Sequence, residues 1–254
     1  MAVKHPLAQY QRATIADYEK HRLFGTSWGE PGSRKTSFWL EGPAPVGVLS
    51  FDKGLEGVAD RILREQPDKE IYVKEYDWVP SEETGVEDAQ EVWSQYETDY
   101  KAFLQNCRTV LIDKENDLWQ LCRYANGLTG GDEQRDFDKA NLQYRRLINL
   151  AKATNVNVGF IRGCKDEWGS ITKTNGQRGK GPTGNRVQAG FKELSGLVHL
   201  ELHHFGLSPD SWRVEVGKVR GPGGFELAGQ EFASLSFPEF AQLVFPDSDE
   251  SEWV

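Results

Sequence analysis

Eight residues, Gly29-Glu30-Pro31-Gly32-Ser33-Arg34-Lys35-Thr36, constrain this chain more than any other stretch. They follow residues 22–28, which read as a short strand, and they lead into a helical stretch. A glycine-rich loop in that setting turns backbone N–H groups toward one point at a helix N-terminus, where a phosphate is the natural occupant. The spacing puts Lys35 on the β- and γ-phosphates as a point charge, and the Thr36 hydroxyl on one coordination position of a Mg2+ ion. Gly29, Glu30, Pro31, Gly32, Ser33, Arg34, Lys35, Thr36 and Ser37 are therefore the expected nucleotide contacts. One position departs from the pattern: Arg34 stands where a glycine is expected, and only glycine takes positive φ there without steric cost. Hydrolysis is in question for that reason. The plainer alternative is a surface Gly/Pro turn with incidental basic residues.

Around this loop, apolar and β-branched runs at residues 46–51, 71–76, 109–112 and 156–161 predict further strands. Val92, Trp93, Tyr96, Tyr100, Phe103 and Leu104 recur at three- and four-residue spacing, which predicts an amphipathic helix over residues 87–106; residues 137–154 carry a similar stripe. Residues 197–202 and 212–216 form a hairpin-like pair. Strands that alternate with helices and then give way to adjacent strands predict an α/β fold, a mostly parallel central sheet flanked by helices with an antiparallel edge. A length of 254 residues suits one large domain over 1–246. Residues 247–254 are an acidic tail, too short to bury enough to fold alone and expected to be mobile.

With 30 Lys and Arg against 39 Asp and Glu, the net charge of -9 argues against a surface that coats nucleic acid throughout. A nucleic-acid site must be local. Residues 171–186 meet that condition, because Lys173, Arg178, Lys180 and Arg186 stand there with no acid among them. A flexible basic loop of this kind neutralises phosphates with salt-dependent affinity, and nearby Trp168 offers a stacking face; a merely solvated loop is the alternative. No apolar run approaches the roughly 20 residues of a membrane span, and no apolar segment with a cleavage site opens the chain. A cytoplasmic protein is the expectation. Cys107, Cys122 and Cys164 lack metal-ligand spacing and read as packing residues. His199, His203 and His204 lack a carboxylate or cysteine to complete a metal set and read as strand packing or polar surface.

The phosphate loop resembles the Walker A element of RecA-like ATPases. The run from Trp28 to Ser37, followed by residues 49–57, is similar to phage-encoded members of that family, several of which are linked to DNA recombination or strand annealing. The resemblance implies a RecA-like P-loop core over residues 1–246, ATP and Mg2+ as cofactors, and a host-cytoplasmic setting. Val110-Leu111-Ile112-Asp113 resembles the Walker B strand, which makes Asp113 a metal-site residue; an ordinary helix-capping acid is the alternative. By the same resemblance, the acid that polarises the attacking water lies just beyond the next strand, where Asp52 and then Glu56 are the candidates. Glu115 and Asp117 are fallbacks, read as solvated acids at a helix start. Arg162 takes the place of the γ-phosphate sensor, and residues 171–186 that of a DNA-contacting loop.

Residues 212–224 resemble a late strand carrying a Lys-x-Arg pair that reaches the neighbouring subunit's nucleotide. Lys218 and Arg220 are two apart, so on a strand they share a side; a basic edge that discourages aggregation is the alternative. The pair implies a ring or filament of identical subunits. The tail ending in Trp253-Val254 is similar to the partner-recruiting tips of single-strand DNA-binding proteins, which implies a single-strand-binding or replication protein as partner; a solvated tail is the alternative. The expected function is a DNA-dependent ATPase of recombination or annealing type, acting on single-stranded DNA. Its rivals are a non-hydrolysing nucleotide-binding assembly module, a helicase- or packaging-type motor subunit, and a small-molecule kinase.

Overall fold

Val110, Leu111 and Ile112 are all fully buried. A continuous apolar run of that kind belongs to a strand covered on both faces, as in a parallel sheet between helix layers. The computed structural model describes residues 20–55, 57–80, 85–128, 137–172, 178–208 and 211–254. In chain order the first elements are β1 (Phe24–Trp28), α1 (Lys35–Leu40), β2 (Val46–Ser50), α2 (Val58–Glu65), β3 (Ile71–Glu75), α3 (Val86–Asn106) and β4 (Thr109–Asp113). There follow α4 (Glu115–Ala125), α5 (Asp138–Ala153), β5 (Asn157–Arg162), β6 (Cys164–Thr172), β7 (Arg178–Gln188) and α6 (Leu194–Leu197). The chain closes with β8 (Leu200–Ser208), β9 (Ser211–Val219), α7 (Gly224–Leu227), β10 (Glu231–Ala233), α8 (Phe237–Val244) and a 3-10 turn at Glu250–Trp253.

Eight strands form one sheet in the order β10-β9-β8-β1-β5-β4-β2-β3. The pairings from β8 through β1, β5, β4 and β2 to β3 are parallel, and β9 runs antiparallel to both β8 and β10. The fold is thus α/β, with a mostly parallel central sheet and an antiparallel edge. Period-two alternation divides the buried strand residues between two cores. Val110, Ile112, Val158 and Phe160 join Trp93, Tyr96, Tyr100, Leu118, Tyr144 and Leu147 from α3, α4 and α5. Leu111, Ile161, Val46 and Val48 join Phe38, Trp39, Phe237 and Phe240 from α1 and α8 on the other face. Burying each such side chain contributes about 1.5–3 kcal/mol. Gly159 is where α1 meets the sheet: a Cβ there would lie 2.3 Å from the Trp39 ring. Among the described residues no helix is long and apolar enough to cross a membrane.

Three expectations change. The described residues of the stretch expected as a flexible basic loop belong to the two arms of an antiparallel hairpin, β6 with β7, in which Arg178 faces Thr172 and Lys180 faces Ser170; residues 173–177 lie outside the described residues. Its glycines and polar residues lack apolar alternation, so backbone pairing and cross-strand polar contacts organise them and no hydrophobic pattern announces the strands. The acidic tail is folded: Trp253 is 1% exposed, lies parallel to Phe245 at 5.6 Å, and donates from Nε1 to Ser248 Oγ at 2.8 Å. A lone aromatic among acids finds a groove that its neighbours in sequence do not reveal. Residues 197–202 are strand only from Leu200, since α6 occupies the start of that run.

Candidate functional site

The loop after β1 curls over the N-terminus of α1. Gly29 sits at φ 146°, and a Cβ on it would come within 2.2 Å of the His204 carbonyl oxygen, so glycine is needed for both angle and space. Arg34, the residue in place of glycine, takes φ 64° and ψ 20°. Its guanidinium lies 3.8 Å from the centre of the Trp212 ring. The loop therefore reaches the left-handed conformation with an arginine, and a cation–π contact helps offset the strain.

Lys35 turns back into the curl. Its ammonium donates to the carbonyls of Gly29 at 3.0 Å and Glu30 at 2.7 Å and to Ser33 Oγ at 3.1 Å. Burial holds its pKa below the ordinary lysine value, opposed by the charge of Asp113. Next to it, Thr36 Oγ1 donates to Asp113 Oδ2 at 2.8 Å. Asp113 ends β4, 4% exposed, and one strand, β5, separates β4 from β1. Burial, together with the charge of Asp52, pushes the Asp113 carboxyl up to about 6. The following peptide, Asp113–Lys114, is cis. Asp52 lies beyond β2, the neighbour of β4, and is tied down on both oxygens: Oδ1 accepts from the Gly54 N–H at 2.9 Å, and Oδ2 pairs with Lys114 Nζ at 2.8 Å. Glu56 lies outside the described residues.

These groups line a cleft of about 570 Å3 that also includes Arg61, Cys164 and Arg186. Arg186, expected on a DNA-contacting loop, reaches over it from β7. It pairs with the loop carboxylate of Glu30 at 2.9 Å and with Asp166 at 2.7 Å. A hydrogen bond with Cys164 and the charge of Arg186 hold the Glu30 carboxyl below its usual range. Cys164, read as a packing residue, thus belongs to the cleft rim, whereas Cys107 and Cys122 are buried. Arg178 and Lys180 are exposed, and strand pairing puts them on the same hairpin face as Trp168, itself 70% exposed. Lys173 lies outside the described residues.

Arg162 also lines this cleft, but its donors are engaged within the protein. Arg162, 2% exposed, pairs with Glu115 at 3.3 Å and donates to the carbonyls of Ala189 at 2.7 Å and Phe191 at 3.1 Å. Its donors hold the chain that follows the hairpin, and it acts there as a strut. Glu115, expected as a solvated acid, is fully buried and accepts from Tyr144 Oη at 2.8 Å and from the Phe191 N–H at 3.2 Å. Asp117 is half-buried at the start of α4, where it accepts from Asn116 Nδ2 at 3.2 Å. Lys218 and Arg220 stand at the opposite end of the sheet from the glycine-rich loop of their own chain. Lys218 Nζ donates to the carbonyls of Ser195 at 2.6 Å and Val198 at 2.7 Å, while Arg220 opens into a separate cavity. The two remain close enough for the charge of Arg220, after burial, to hold the Lys218 pKa below the ordinary lysine value.

Sequence reasoning missed Lys114 as the partner of Asp52 and the Glu30–Arg186 link. Lys114 directly follows Asp113, which is a usable signal; the ion pair across more than 150 residues of chain had none. No protein-family model matches the chain, and no curated protein matches it.

Proposed function

We propose that the chain is a RecA-like P-loop ATPase of the phage recombination or strand-annealing type, holding ATP with Mg2+ in the cleft and single-stranded DNA on the hairpin. The observation that carries this reading is the loop itself: Lys35 is drawn into the curl by three acceptors, and Thr36 is held by Asp113 across the sheet. The ammonium rests on neutral carbonyls, and phosphate oxygens are stronger acceptors for it. Thr36 and Asp113 offer hydroxyl and carboxylate oxygens, the hard donors that suit Mg2+. Among the described residues no group of three or more His, Cys, Asp or Glu side chains is set to hold a metal ion. A Mg2+ shared with phosphates needs only one or two protein oxygens. Bound there, the ion supplies positive charge to the phosphate oxygens. Lys35 adds its own charge at the transferring group, and the loop N–H groups orient it. Asp52 is the candidate to orient the attacking water, on condition that Lys114 releases it.

That condition favours a second reading. With Asp52 held by Lys114 and by Gly54, the cleft suits a non-hydrolysing module in which nucleotide only drives assembly. DNA enters both readings through one hairpin face, where Trp168 provides a stacking surface beside the exposed cations Arg178 and Lys180. The test is steady-state phosphate release from ATP and Mg2+, with and without single-stranded DNA, with Lys35→Ala as control. Turnover that DNA stimulates and Lys35→Ala abolishes supports the ATPase. ATP binding without phosphate release supports the module. Absence of ATP binding by the parent chain overturns both.

A further inference from the structure

The sheet has a second open end. Arg22 leads into β1, His199 leads into β8 and Arg220 follows β9, so all three stand opposite the end from which the phosphate loop emerges. With Lys20, Lys152 at the end of α5, and Asp247, they line a cavity of about 720 Å3.

Four cationic side chains thus meet in a chain whose net charge is -9. Among the described residues, none of Lys20, Arg22, Lys152 and Arg220 forms a salt bridge with a carboxylate. Two of the four have a structural use. Arg22 donates to the carbonyls of Ala151 at 2.7 Å and Lys152 at 2.8 Å, and Lys20 Nζ lies 3.4 Å from that of Lys152, so both cap the C-terminus of α5. Even so, Arg22 is 5% exposed and its Nε has no partner. Capping does not account for Lys152 or Arg220. His199 reports the resulting field: burial and the charges of Arg22, Arg220, Lys152 and Lys218 push its imidazole down to about 4. Among the described residues that line the cavity only Asp247 is an acid, and His21 pairs with Glu252 at its rim. Like charges gathered this closely repel one another until an anion joins them.

We infer that this cavity is a second phosphate-binding site, which takes the di- or triphosphate group of a nucleotide or a free polyphosphate on Lys152 and Arg220, with Lys20 and Arg22 behind them. A single carboxylate would leave most of this charge unmatched; a chain of phosphates matches it, and the guanidinium fork suits phosphate oxygens. The phosphates have two sources, free in solution or carried in the cleft of a second copy of this chain. The site itself does not rest on the function proposed above.

The test uses the full chain carrying Lys35→Ala, so that the phosphate loop does not compete. Titration with sodium tripolyphosphate at constant ionic strength is expected to show saturable calorimetric binding. In the same titration the His199 pKa, followed by NMR, is expected to rise, since a bound anion offsets Lys20, Arg22, Lys152, Lys218 and Arg220. Adding Lys152→Ala and Arg220→Ala is expected to weaken binding about tenfold or more, as charge-assisted hydrogen bonds are lost. Binding unchanged by these two substitutions, or a His199 titration that does not move, overturns the site. Arg220→Ala alone, which leaves all of α5 intact, decides the same question should the double variant misfold. Sedimentation of the parent chain with a non-hydrolysable ATP analogue then identifies the source. Nucleotide-dependent association that Arg220→Ala abolishes points to a second copy; a phosphate-bound monomer points to free ligand.

Discussion

Arg34 sits at φ 64° with its guanidinium over Trp212. A left-handed non-glycine residue costs about 1–2 kcal/mol, and a cation–π contact returns about 0.5–1. Arg34→Gly is therefore expected to change stability by less than about 1 kcal/mol, since it removes strain and contact together. Arg34→Ala loses the contact as the glycine variant does but keeps the strain, and is expected to be less stable than the glycine variant by about 1 kcal/mol in urea unfolding. A second residue-scale prediction concerns acid. His204, 1% exposed, meets Ser27 Oγ at 3.0 Å, and Trp39 Nε1 donates to that same oxygen at 2.9 Å. The hydrogen bond with Ser27 is made by a neutral imidazole, whose pKa burial, with Lys35 and His203, pushes down to about 3. Unfolded, the ring takes a proton below its ordinary value of 6.5; folded, it does not until about 3. Its contribution is present above pH 6.5 and is lost as pH falls toward 3. By pH 5 that loss is on the order of 2 kcal/mol. In His204→Gln, which cannot titrate, the stability difference between pH 7 and pH 5 is expected to shrink accordingly; an unchanged difference rejects the assignment.

At the scale of elements, one ion pair joins the glycine-rich loop to the hairpin. Arg186 of β7 holds Glu30 while the latter's own carbonyl accepts from Lys35. Both side chains are well exposed, so the pair adds little to global stability; its consequence is positional. Glu30→Gln is expected to speed amide exchange in residues 164–172 and 178–188 and to leave β4 unchanged, because the hairpin forms a separate two-stranded sheet while β4 lies between two strands. Equal exchange in the variant and the parent dissociates the hairpin from the loop. Elements were unequally legible. The apolar strands and the long stripes of α3 and α5 announce themselves by period. The hairpin does not, since its stability lies in backbone pairing and in contacts such as Arg186 with Asp166 and Thr183 with Glu167 at 2.7 Å.

For the whole molecule, the last residues matter more than their composition suggests. Trp253 completes the core that α1 and α8 share, against Phe245. Trp253→Ala is expected to destabilise the chain by about 3 kcal/mol or more in thermal or urea unfolding, the usual cost of emptying a buried aromatic site; a change within about 0.5 kcal/mol, the range of surface positions, means that the tail does not pack in solution. What local order alone carries is the glycine-rich loop, the apolar strands around it and the alternation that sorts them into a mostly parallel sheet, because period and spacing act between near neighbours in sequence. Assembly supplies the rest: Asp113 under Thr36, Lys114 on Asp52, Arg162 spent on Glu115, Lys218 turned onto the Ser195 carbonyl, and Arg220 sharing a cavity with Lys152. Each of these depends on distant segments meeting with a particular register and burial, and a linear pattern holds no record of which charge will find which partner once water is gone.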